Sequence, residues 1–223
     1  MFILCSNALE RRIQPMADYT FFTNPMSRGQ IARWALHEAG VSYDQVLVPW
    51  AEKPAALLAA NPMGKVPTVI HHSTSGDKVV TECAAICSYL AEAHPEAGLA
   101  PTAEERADYY RWLFFAAGPV EQAIICRSMG WEVPKDREMM AGWGNYERTI
   151  GALDGHFASH AFVCGDRFTM ADVYVGSQVD WGLTFGSIPP NAAFVAYAER
   201  LQARDAYKAA KAIDHQLIED SKQ

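Results

Sequence analysis

Apolar and polar positions along this chain change their rhythm once. In the first part, short β-branched and aromatic runs alternate with helical segments; further on, almost every apolar recurrence has helical spacing. Tyr19-Thr-Phe-Phe-Thr23 has strand composition and is stopped by Asn24-Pro25. Behind Ser27, the residues Gln30, Ile31, Trp34 and Ala35 predict a helix that closes at Gly40. Tyr43 to Val48 alternates as a second strand, Pro54 to Ala60 reads as a helix, and Val66 to His71 pairs with Lys78 to Thr81 as a hairpin around Ser75-Gly76-Asp77. After Thr81-Glu82-Cys83, the positions Ile86, Tyr89, Leu90 and Ala93 line one buried helix face. The order is β-α-β-α-β-β-α. Short connections and right-handed crossovers put these strands in one sheet, with the fourth added antiparallel at an edge.

The expected architecture is an α/β domain over 16–95, a Pro-, Gly- and Ala-rich linker over 96–102, and an all-helical domain over 103–223. Ala103 to Phe115 begins the helical part. Asp136 to Phe157 reads as one helix with Met140, Trp143, Ile150, Leu153 and Phe157 on a common face. Thr169 and Asp172 have capping-box spacing ahead of Val173, Tyr174, Val175 and Val179, which read as buried. That pair is assigned to folding.

Composition narrows the classes. The chain has 223 residues, 50% of them hydrophobic, which suffices for a sizeable core. Its 19 basic and 26 acidic residues give a charge of −7 without a Lys/Arg cluster, so nucleic acid is not an expected partner. No apolar run approaches the roughly 20 residues that span a bilayer, and Met1 to Cys5 is too short for a signal peptide. A cytoplasmic protein without a membrane partner is expected. The five cysteines, Cys5, Cys83, Cys87, Cys126 and Cys164, form neither a disulfide framework nor a metal site. Residues 1–15 read as a loosely held extension, with Met16 as an alternative start.

Two features carry chemistry. Pro67 stands at the entrance to a strand, where its missing N–H removes a ladder donor. A cis bond there leaves the N–H and C=O of Val66 free for an extended ligand; a trans bond leaves a loop proline that only starts the strand. Glu82 stands at a helix start, where it can answer a ligand ammonium while free N–H groups hold a carboxylate, or can serve the helix alone.

Taken together, Asn61-Pro-Met-Gly-Lys-Val-Pro67, Glu82-Cys83, Phe168-Thr-Met-Ala-Asp-Val173 and Arg204-Asp-Ala-Tyr207 resemble the cytosolic glutathione transferases, across Tyr19 to Lys211. The resemblance implies a thioredoxin-like first domain, an all-helical second domain, a homodimer, and glutathione as co-substrate in the cleft, with no metal and a role in detoxification. By that likeness Val66 before cis Pro67 pairs with the cysteinyl part of glutathione, Glu82 and Cys83 hold the γ-glutamyl end, and Lys65 and Lys53 meet the glycine carboxylate. The family usually has Ser where this chain has Cys83, a weaker donor.

The reaction needs a thiolate, and a thiol of pKa about 8.5 must be lowered by ~2 units. Ser27 matches the position of the catalytic cysteine of beta-class enzymes, whereas Asn24 matches the catalytic serine of theta- and delta-like ones; both remain candidates. Phe22 falls where other classes carry a tyrosine, so a tyrosine mechanism is not expected. Phe114, Phe115, Gly118 and Glu121 are expected to face a small hydrophobic electrophile, although the aromatic residues suit a core equally well. The implied activity is conjugation of glutathione or peroxide reduction. A glutathione-dependent redox enzyme and a non-catalytic protein-interaction module are the alternatives, and a maleylacetoacetate-isomerase-like role is weakened by the absence of Ser-Ser-Cys before the first helix.

Overall fold

The computed structural model describes residues 17–222; the expected extension, the Met16 start and Cys5 lie outside them. Four strands, β1 (Tyr19–Thr23), β2 (Tyr43–Leu47), β3 (Thr68–Ser73) and β4 (Gly76–Thr81), form one mixed sheet in the order β2-β1-β3-β4. β1 runs parallel to β2 and antiparallel to β3, and β4 closes the edge antiparallel to β3. The hairpin turn lies one step earlier than the Gly76 signal indicates, because Gly76 already pairs with Ser73. Helices α1 (Gly29–Ala39), α2 (Ala55–Ala60) and α3 (Cys83–Ala93) accompany the sheet, and α1 ends on Gly40 at φ 67°, a left-handed cap that glycine adopts without a Cβ penalty.

The remainder is helical: α4 (Arg106–Phe115), α5 (Glu121–Met129), α6 (Tyr146–Phe157), α7 (Met170–Phe185), α8 (Ala192–Gln202) and α9 (Asp205–Asp220). A π-helical turn at Ala116–Val120 joins α4 to α5. The expected helix from Asp136 to Phe157 is broken. Lys135–Met140 forms only a 3₁₀ segment, Gly144 takes a φ of 66°, and α6 starts afresh where the Asn145 side chain accepts the Arg148 N–H at 2.9 Å. Ile150, Leu153 and Phe157 are buried as expected, but Met140 points to solvent.

Thr169 and Asp172 form the reciprocal capping box at the start of α7, and Val173, Tyr174, Val175 and Val179 are buried beyond it. Asp172 also accepts the Val163 N–H at 2.7 Å and the Tyr197 hydroxyl at 2.9 Å, so one carboxylate ties the 162–168 turn and α8 to α7. The main apolar core then runs from the sheet through α1 and α3 into α4, α6, α7 and α8, and a smaller cluster joins Phe22, Val48 and Leu57. On its flank α9 lies along α1. Arg33 and Asp214, both fully buried, pair at 3.0 Å, Arg204 pairs with Glu38 at 2.6 Å, and Lys211 donates to Gln30 at 2.8 Å.

The connection between the sheet and the helices is clamped by Arg167, which donates to the carbonyls of Gly98 and Ala100 and to the Glu105 carboxylate. That hydrogen bond pulls the Glu105 carboxyl down from 4.5 to about 2. A depressed carboxyl stabilises the fold above its unfolded pKa, and the contribution is lost as pH falls from about 4.5 to 2. The full shift corresponds to at most about 3 kcal/mol, and screening of the partly exposed Arg167 reduces this to about 1–2 kcal/mol. Glu105→Gln should be less stable than the parent by that amount at pH 7 and converge with it below pH ~2; parallel urea-unfolding curves across that window would disprove the assignment.

Candidate active site

Three strand ends meet at one edge of the sheet. Thr68 pairs with both Phe22 and Thr81, so β1 delivers Thr23-Asn24, β3 begins after Val66-Pro67, and β4 hands over to Glu82-Cys83, all side by side. The α1 N-terminus is drawn in by Gly29, whose position has no room for a side chain: a Cβ there would stand 2.1 Å from the Thr23 hydroxyl. Cys83 reinforces the junction through a 3.7 Å contact of its thiol with the Arg28 carbonyl.

The Val66–Pro67 bond is cis. Among the described residues the N–H and C=O of Val66 make no hydrogen bond. The loop before it is organised by buried Asn61, whose amide donates to the Lys65 carbonyl and to Thr68 and whose oxygen accepts the Met63 N–H. Beside it opens a groove of about 380 Å³ lined by Met26, Ser27, Arg28, Trp50, Lys53, Met63, Gly64, Lys65 and Val66. Four sequence candidates, Ser27, Lys53, Lys65 and Val66, therefore share one wall system. Pro67, Glu82 and Cys83 stand next to it without lining it.

Ser27 precedes the first helical turn by two residues rather than occupying its N-cap, which is Arg28. Its hydroxyl donates to the Asn24 carbonyl at 2.6 Å and accepts the Gly29 N–H at 2.9 Å. Asn24 is only 9% exposed, and its side chain is engaged on both ends, donating to Val48 C=O and accepting the Met26 N–H. Lys53 lies 5.1 Å from the Trp50 ring centroid, which holds the ammonium at the groove wall.

Glu82 is the only non-glycine residue with positive φ among the described residues, at φ 64° and ψ 121°. Such a backbone costs roughly 1–3 kcal/mol and persists where its surroundings enforce it. Glu82→Gly should therefore gain about 0.5–1 kcal/mol in chemical denaturation. If the carboxylate serves a ligand ammonium, the same variant should bind that ligand at least about tenfold more weakly; equal affinity would assign Glu82 to the helix alone. Cys83 is buried, and burial pushes its thiol up to about 12 in spite of its place at a helix start.

Sequence reasoning missed Arg28, which lines the groove and reaches across to Glu121 at 2.8 Å. Glu121 in turn accepts the Tyr174 hydroxyl at 3.3 Å, so this ion pair couples α1 to α5 and α7. Of the four expected electrophile-facing residues, Glu121 alone makes a bond to the turn around Ser27. Phe114 is 68% exposed, Phe115 packs on Trp112 and the core, and Gly118 lies within the π-helical turn. Among the described residues no three His, Cys, Asp or Glu side chains gather as a metal site, and no helix is long and apolar enough to cross a membrane.

A thioredoxin-like sheet with its ligand-ready loop, followed by a helical region, defines the fold of the glutathione-dependent transferases, and comparison with known proteins agrees. The family model "Glutathione S-transferase, N-terminal domain" matches residues 17–92, and "Glutathione S-transferase, C-terminal domain" matches residues 136–181. A fission-yeast (Schizosaccharomyces pombe) protein named Glutathione S-transferase 1 is 28% identical over 158 residues, which span 66% of this chain and 66% of that relative. A glutathione transferase from Methylococcus capsulatus superposes with a TM-score of 0.72 at 27% identity, covering 89% of this chain and 99% of the other. A sphingomonad glutathione S-transferase complexed with glutathione gives 0.70 at 27% identity, covering 88% and 98%. The chain belongs to the glutathione S-transferase family.

Proposed function

We propose that this protein binds glutathione in the groove beside Val66 and activates its thiol for attack on a small hydrophobic electrophile. The observation that carries the reading is the groove itself, where the unpaired Val66 N–H and C=O, two lysines and Ser27 face one space. The cysteinyl backbone of glutathione pairs with Val66, Lys53 and Lys65 receive the glycine carboxylate, and Glu82 with the N–H groups of the α3 start receives the γ-glutamyl end. Ser27 turns its hydroxyl from the Asn24 carbonyl to the sulfur. This exchanges a neutral hydrogen bond, typically about 0.5–1.5 kcal/mol, for a charge-assisted one of about 1.5–3 kcal/mol. Ser27 lines the groove, whereas Asn24 is buried behind it with its side chain held by Val48 and Met26, and this favours Ser27 as the activating group.

The electrophile enters from the α4–α5 side, past Phe114, Phe115, Gly118 and Glu121, and the working form is a homodimer in the cytoplasm. A mixed-disulfide redox mechanism is disfavoured by the buried, raised thiol of Cys83 and by serine at position 27. Retention on immobilised glutathione together with turnover of a chlorinated nitroaromatic tests the reading. A folded protein that neither retains glutathione nor turns over would instead be an interaction module.

A further inference from the structure

Tyr19, Phe21 and Thr23 alternate along β1 onto one face of the sheet, and all three are fully buried. Phe21 and Thr23 meet α1 there, through Arg33 and Gly29. The first two of this row are aromatic, whereas the third carries a hydroxyl. That hydroxyl has no hydrogen-bond partner among the described residues. A buried hydroxyl left unpaired is destabilising, and valine would fill the same space without the penalty. Threonine is thus the less stable choice at this position.

The unpaired group lies inside the turn that carries Ser27. The point where a Cβ of Gly29 would stand is 2.1 Å from Thr23 Oγ1, 3.0 Å from Ser27 Oγ and 3.2 Å from the Asn24 carbonyl oxygen, so three oxygens surround the space of one absent methyl. Two of them are acceptors that Thr23 might use, and they differ in what they already hold. The Asn24 carbonyl has both lone pairs engaged, by the Ser27 hydroxyl at 2.6 Å and the Ser27 N–H at 3.1 Å. The Ser27 oxygen accepts the Gly29 N–H at 2.9 Å and keeps its second lone pair without a donor among the described residues. Ser27 is therefore the acceptor with room for the Thr23 proton.

We propose that Thr23 is a positioning residue for thiol activation: as Ser27 turns its hydroxyl to the glutathione sulfur, the Thr23 O–H donates to the Ser27 oxygen, giving a relay from Thr23 through Ser27 to the thiolate. The inference rests on the reading of Ser27 as the activating group. Each hydroxyl keeps its own proton, and the thiol releases its proton to water. A hydroxyl whose oxygen accepts a hydrogen bond is itself a stronger donor, by roughly 10–30% per bond. The Thr23 hydroxyl gains its partner in the same movement that gives the sulfur its donor.

The test follows the ultraviolet thiolate band of glutathione bound to the full chain as a function of pH. Thr23→Val should raise the pKa of bound glutathione by about 0.3–0.6 unit, which lowers the thiolate fraction below that pKa by about two- to fourfold. Its urea midpoint should equal or exceed the parent's, because an unpaired hydroxyl is all that is lost. Thr23→Ser should do the reverse, keeping the parental thiol pKa while its midpoint falls through loss of a buried methyl. In a Ser27→Ala background, Thr23→Val should leave the thiol pKa where it is, since the relay has lost its middle member. S-methylglutathione should bind the Thr23 variants as tightly as the parent. An unshifted thiol pKa in Thr23→Val, a Thr23→Ser variant shifted as far as Thr23→Val, full additivity with Ser27→Ala, or loss of S-methylglutathione binding in Thr23→Val would each overturn the proposal. A parent without a thiolate band, or one whose band ignores Ser27→Ala, would overturn the underlying reading as well. A band that moves with Ser27→Ala and not with Thr23→Val would overturn this inference alone.

Discussion

Replacing Asp172 with alanine should lower the unfolding free energy by about 3–5 kcal/mol. The carboxylate is fully buried and accepts from the Val163 N–H, the Thr169 N–H, the Thr169 hydroxyl and the Tyr197 hydroxyl. Alanine leaves these donors in an apolar interior, at about 1–3 kcal/mol for each that finds no new acceptor. The gain from removing a desolvated charge offsets only part of this; burial raises the Asp172 carboxyl to about 6 even with four donors aimed at it. Since domains of this size are typically stable by about 5–15 kcal/mol, the variant should unfold at much lower urea. Asp172→Asn, which keeps one acceptor, should fall between the two. A midpoint for Asp172→Ala within error of the parent would mean that the donors are satisfied elsewhere.

The second large effect concerns chemistry. Ser27→Ala should raise the pKa of bound glutathione by about 1–2 units and reduce kcat/KM at neutral pH by roughly 10- to 100-fold, the worth of one charge-assisted hydrogen bond. Because the hydroxyl also bridges the Asn24 carbonyl and the Gly29 N–H, some loss of stability is expected too. The ultraviolet thiolate band separates the two effects, as a weakened turn alone does not move the sulfur titration. Asn24→Ala should do the reverse, loosening the turn by removing its bonds to Val48 and Met26 while leaving the thiol pKa where it was. The opposite pattern would transfer the activating role to Asn24.

What was legible in the sequence follows from the range of the interactions. Strand runs, helix faces and the Thr169/Asp172 spacing are local, and they gave the element order and the α7 start. The Val66-Pro67 loop and Glu82 were readable because each sits at a punctuation mark of the backbone, and strand pairing then brought them to one edge. The break before α6 was missed because Met140 and Trp143 happen to continue the apolar spacing through Gly142 and Gly144. Arg28–Glu121 and Arg33–Asp214 left no local pattern at all; opposite charges 93 and 181 residues apart obey no periodicity. The backbone of Glu82 was equally silent, since nothing about a glutamate announces a left-handed conformation.

The Arg33–Asp214 pair has a consequence for biosynthesis. Arg33 lies in α1, and the carboxylate that pairs with it belongs to α9, 181 residues further along the chain. Until residue 214 has emerged, α1 cannot bury that guanidinium without leaving an unpaired charge, a state that costs about 3–5 kcal/mol. The face of α1 that carries Arg33 therefore stays wet until α9 docks against it.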